Sequence, residues 1–208
     1  MTDITPDATT ADKPLPTPVA ARTSVTTDIA LVASFAAFIA VCAILPGIPT
    51  GSGVPITLQT FGVILAGLVL GWRRGALAVL LYLAVGFAGV PVFAQGHSGL
   101  SVLSGASAGY LIAFPFGAAL AGFLANGAAK ATGYARYTIL FTSGLFASLL
   151  TIHVGGIIGL MIKLGIDFGA AVTIDVVYLP GDILKNLAAA AVAYTLFRAY
   201  PDLLRNRR

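Results

Sequence analysis

Between residues 29 and 197 the chain passes through six apolar windows, at about 29–45, 58–70, 76–87, 108–129, 137–160 and 183–197, each bounded by Gly, Pro or Arg pairs. A helix of roughly 20 apolar residues crosses a hydrocarbon core of about 30 Å and satisfies its own backbone in lipid. The expected fold is therefore an all-α integral membrane protein, a bundle of six transmembrane helices. The second and third windows are short for a crossing. They must be completed by neighbouring loop or by extension into flanking polar sequence, and either alone could be part of a re-entrant pair. With 58% of residues hydrophobic and 10% charged, too few polar side chains remain to coat a water-soluble domain. A single cysteine, Cys42, and two histidines exclude an internal disulfide and a Cys/His metal cluster, so no metal or cofactor is expected.

Residues 1–27 are rich in Thr, Pro, Ala and Asp and read as a disordered cytoplasmic tail. Residues 28–201 form the membrane domain, and 202–208 a basic cytoplasmic C-terminus. A cleaved signal peptide is the other reading of the first window, but the long tail ahead of it and the further apolar windows favour an uncleaved helix. Placing the N-terminus inside puts Lys13, Arg22, Arg73, Arg74, Lys130, Arg136, Arg198, Arg205, Arg207 and Arg208 on the inner side and only Lys163 outside. This asymmetry supports a multi-pass protein of the cell membrane with both termini in the cytoplasm. Inner connections are brief, whereas the outer ones, at about 46–57, 88–107 and 161–182, are long, Gly- and Pro-rich and still apolar. Such loops are expected to fold over the bundle as a lid; simple solvated linkers would be more polar.

Against this background the run Pro-Gly-Asp-Ile-Leu-Lys-Asn at 180–186 stands out. Asp182, Lys185 and Asn186 share one face at the start of the sixth helix. A lysine within a membrane helix costs about 2.5–3.5 kcal/mol on the insertion scale, so it normally faces a cavity or a partner. One reading is a polar clamp in which Asp182 accepts from a ligand N–H and Lys185 donates to a carbonyl. The other has Asp182 capping the helix and Lys185 snorkelling to the outer headgroups. Gln59, Gln95, Ser101, Ser104, Ser107, Tyr110, Asp175 and Tyr178 are the polar residues on outer segments that could complete a pocket.

Small residues recur every four positions at Ala113, Gly117, Ala121, Ala125 and Ala129, and in the pairs Ala33/Ala37 and Ala36/Ala40. Such ladders let helices approach closely in lipid. On the fourth span they read as bundle packing; on the first, packing and docking to another protein are both open. Residues 105–109 fit G-x-S-x-G, but the strand that a nucleophile elbow needs is missing. An intramembrane hydrolase pairing Ser107 with His153, and a small-solute channel, are the alternatives from other classes. His153 reads more simply as a hydrogen-bonded residue inside the bundle. No phosphate-binding G-x-x-x-x-G-K-[ST] segment occurs, so energy from ATP would have to come through partners. No nucleic-acid partner is expected.

The stretch VPITLQTFGVILAGLVLGWRRGALAVLLYLAVGFAGVPVFA at 54–94, Gly109-Tyr110-Leu111 entering the fourth span, and PGDILKN at 180–186 resemble the BioY family, the biotin-specific S components of energy-coupling-factor transporters. The loop between Gln95 and Ser107 departs from the family's Gly-rich form. The resemblance implies a six-helix S-component fold that binds biotin from outside. It also implies a membrane coupling protein and two ABC-type ATPases as partners, with the alanine pairs of the first helix as docking face. By the same resemblance Asp182 and Lys185 match the acid and lysine that hold the ureido ring. Biotin's two N–H donors and one carbonyl are groups that an acid and a lysine three residues apart can satisfy.

Overall fold

The computed structural model describes residues 25–201 and Leu203. Its helices are α1 Val25–Ile44, α2 Gln59–Leu70, α3 Trp72–Phe87, α4 Ala108–Leu124, α5 Gly133–Ala147, α6 Val154–Leu164, α7 Phe168–Val176 and α8 Leu179–Ala199. Among the described residues there is no strand, only an antiparallel bridge between Ile48 and Ile56 that pinches the α1–α2 loop. The all-helical expectation holds.

Three helices are long and apolar enough to cross a membrane: Val25–Ile44, Ala108–Ala129 and Gly133–Leu164. The last is α5 continued into α6 through a wide turn, Ser148–His153. A fourth crossing results if α7 and α8, bent by 51° at their junction, are counted as one. The short second and third windows become α2, of 12 residues, and α3, of 16. They are joined at Gly71, whose φ of 84° is readily reached only by glycine. Because α3 begins at Trp72, its first turn takes in Arg73 and Arg74, which is the predicted extension into polar sequence.

Every residue of α2 except Thr60 and Phe61 is buried. A helix apolar on all sides belongs in the middle of a bundle, and α2 packs against α1, α3, α4 and α8. Its far end is held by small residues: a Cβ on Gly67 would strike the backbone of Ala118, and one on Gly122 would strike Gly71 and Trp72. On α4, Ala113, Gly117 and Ala121 are buried as internal packing predicts; in the tighter turn that continues it, Ala125–Ala129, Ala125 is buried and Ala129 exposed.

Two expectations need correction. The 161–182 connection is not a loop, since it contains α7. Gly165 ends α6 in the left-handed conformation (φ 65°), and Asp167 caps α7 by accepting from Ala170 N at 3.0 Å. The first helix begins at Val25, not near residue 29, so 25–27 are helical; the rest of the predicted tail, and the C-terminal basic segment but for Leu203, lie outside the described residues.

Candidate functional site

Chain direction brings the loops at 46–57 and 88–107, and the start of α8, to one end of the bundle. The loops fold inward as a cover. Phe93 is 2% exposed, its ring edge-on to Tyr82 at 5.6 Å, in space left by Gly86, where a Cβ would strike that ring. Tyr82 Oη donates to Val92 O at 3.1 Å and accepts from Gln59 Nε2 at 2.7 Å. Tyr178 Oη donates to Val54 O at 2.9 Å and contacts the Ser52 hydroxyl at 2.7 Å, fastening the other loop. Val176 and Val177, in the third outer connection at 161–182, are exposed and take no part in the cover.

Beneath the cover lie two adjoining chambers that share Pro55, Gln59, Ala94, Ser107 and Leu111. The outer, about 240 Å³, is lined by Gln95, His97, Ser101 and Ser104. The inner, about 60 Å³, ends on Thr60, Tyr110, Tyr178, Asp182 and Lys185. Six of the seven predicted ligand residues, Asp182, Lys185, Tyr110, Gln95, Gln59 and Tyr178, therefore border one continuous space. Asn186 does not. Its Nδ2 donates to Asp182 O at 2.8 Å, and its Oδ1 is buried against α5 where Gly144 leaves room.

The acid and lysine meet each other directly. Lys185 Nζ donates to Asp182 Oδ1 at 2.7 Å, and Thr60 Oγ1 donates to the same oxygen at 3.0 Å. Lys185 thus neither snorkels outward nor stands free. Behind Asp182 sits His153: its Nε2 lies 3.2 Å from Asp182 Oδ2, off line for a full hydrogen bond, and its Nδ1 is 2.8 Å from Asp175 Oδ2. Tyr110 Oη completes the line by donating to Asp175 Oδ1 at 2.7 Å. Tyr110 can lie there because Gly156 carries no side chain. Thr60 was not anticipated; it is one of two α2 residues spared full burial. Both ring nitrogens of His153 face carboxylates, and among the described residues no hydrogen bond joins it to Ser107. It is not placed to take a serine proton.

The alanines proposed for docking lie on α1, with Ala33 and Ala37 exposed, Ala40 half-buried and Ala36 buried. With Leu81, Tyr82, Val85 and Val92 they line a separate groove of about 330 Å³ between α1 and α3.

A buried polar chamber at one end of an apolar helical bundle defines a membrane-embedded solute-binding protein. The BioY family model matches residues 12–202. The biotin transporter BioY of Rhizobium etli is 35% identical over 181 residues, covering 86% of this chain and 97% of its own length. That of Rhodobacter capsulatus is 35% identical over 189 residues, covering 85% and 96%. The crystal structure of the S-component for biotin from an ECF-type ABC transporter superposes with a TM-score of 0.75 at 29% identity, covering 83% of this chain and 92% of that one. The chain belongs to the BioY family. It is a membrane transport protein, not an enzyme.

Proposed function

We propose that this chain is the biotin-binding subunit of a vitamin uptake system, and that Asp182 and Lys185 hold the ureido ring. The observation that carries the reading is the pairing of an acid and an amine at the closed end of a covered chamber. In the empty site each satisfies the other, which removes the cost of a lone buried charge. A ureido group inserted between them replaces that bond with two: its N–H donates to Asp182 Oδ1, and Lys185 Nζ turns to its carbonyl. The fused rings then lie among Ile56, Leu111 and Phe114, while the carboxylate reaches the outer chamber, where Gln95 and the serines offer donors. The name of the Rhizobium relative and the biotin S component of the similar structure support this ligand.

The inner ends of the bundle carry Arg73, Arg74, Lys130, Arg136 and Arg198, which supports a cell-membrane protein with both termini in the cytoplasm and the chamber facing outward. An energising module of a membrane coupling protein and two ABC-type ATPases docks on α1, where Ala33 and Ala37 leave an exposed small-residue face. Calorimetric titration of the purified protein with biotin tests the ligand; absence of heat and of competition by labelled biotin refutes it. Ala37→Trp is expected to spare binding and abolish uptake in cells, and retained uptake rejects the docking face. A channel would instead pass biotin into liposomes without any ATPase.

A further inference from the structure

The chamber wall is formed by Asp182 and Lys185, but a second layer behind them, made by residues that do not border the chamber, is not needed merely to provide an acid and an amine. We propose that His153, carrying protons on both ring nitrogens, is the positioning residue that holds the Asp182 carboxylate in place for the solute; this rests on the clamp reading of Asp182 and Lys185 given above.

A neutral imidazole has one N–H and one lone pair, whereas His153 has a carboxylate oxygen opposite each nitrogen, at 2.8 Å and 3.2 Å. An ionised carboxylate can only accept, so two donors are required. The remaining oxygens are already supplied: Asp175 Oδ1 by Tyr110, and Asp182 Oδ1 by Lys185 and Thr60. Charge leads to the same assignment. The ionisable groups facing His153 are Asp175 on α7 and Asp182 on α8, with Lys185 and Tyr110 one step beyond. Two carboxylates and one ammonium leave one net negative charge, with His153, Asp175 and Asp182 no more than 5% exposed. An imidazolium cancels it, which matters most in a bundle surrounded by lipid.

The fold places the ring deliberately. His153 closes the wide turn Ser148–His153, whose extra residue per turn re-aims the side chains that follow it. When the solute N–H takes Oδ1 and Lys185 turns away, the imidazolium still stands 3.2 Å from Oδ2, and its charge keeps the carboxylate ionised and facing it.

Nitrogen-15 spectra of untagged protein labelled in histidine read the first half of this proposal, the signal of His153 being the one lost in His153→Gln. Two protonated ring nitrogens at neutral pH are expected in the biotin-free protein. One protonated nitrogen overturns the proposal and makes Asp182 the donor to Nε2. Biotin titration reads the second half: His153→Gln is expected to weaken binding about tenfold or more, and far less when Asp182 is already Asn, because the histidine acts through that carboxylate. Parental affinity in His153→Gln, or losses that add in full, overturns it. If His153→Gln does not fold, the spectra of the parent decide alone, with the signal assigned by its contact to labelled Asp175. Should the parent fail to bind biotin at all, the ligand reading falls while the spectra still judge the histidine.

Discussion

The two ends of this bundle share one kind of contact and differ in a second. At the basic end, α2, α3 and α4 meet backbone to backbone through Gly67, Gly75 and Gly122, with no room for a methyl group. At the chamber end α4 meets α6 in the same way, at Gly109, Gly155 and Gly159, but beside that seam a line of buried polar side chains joins the helices: Asp182, Lys185, His153 and Asp175, braced by Thr60 and Tyr110. In lipid, burying apolar surface gives little net drive between helices, so close contact between small residues does that work at both ends. Only at the chamber end do buried polar partners add to it, and there a space remains beside them.

The largest effect should come from breaking the backbone contacts at the basic end. Gly67→Leu sets a bulky side chain against the Ala118 backbone, which cannot yield as a flexible side chain would. More than about 3 kcal/mol is lost, seen as failure to recover monodisperse protein in detergent. Gly71→Ala should show a smaller loss, from forcing a side chain into a φ of 84°. At the chamber end, Asp182→Asn or Lys185→Ala is expected to weaken biotin at least about tenfold, or about 1.4 kcal/mol, by leaving a desolvated partner unpaired. Unchanged affinity in both variants refutes the clamp. Gly86→Ala should lift Phe93 and the loop it anchors, raising the biotin dissociation rate by a factor of about three to ten in stopped flow while the thermal midpoint moves little. An unchanged rate would show that the loop does not cover the bound solute. The smallest effect belongs to the ion pair between Asp28 and Arg74, 2.7 Å long and partly open to solvent on the aspartate side. Asp28→Asn should cost under about 1 kcal/mol, with the difference shrinking in high salt.

Much of this contrast could be read in the sequence, and its limits are physical. The apolar windows located the membrane helices because lipid permits little else, and Asp182 and Lys185 announced themselves as charges in an apolar helix. Helix α7 was missed although its signals were present: Gly165 as a left-handed stop and Asp167 as a cap. The reason is that the stretch around it is as apolar as a folded-in loop. The link from Asp182 to His153 and Asp175 was not legible, because it depends on how far each helix is rotated about its axis. The wide turn at 148–153 sets that rotation, and no residue pattern marks it. Asn186 shows the converse error: sharing a helical face with Asp182 placed it near the site, yet the step of about 100° beyond Lys185 turned its side chain to α5.

Tyr178 stands four residues before Asp182, and its hydroxyl grips the 50–54 loop through Ser52 and Val54, with no ion among those partners. On the proposed reading, a molecule arriving under that flap would loosen only uncharged bonds, of the kind water replaces readily, while the ionic quartet beneath stays closed. Entry and recognition would then be separate events on a single helix start.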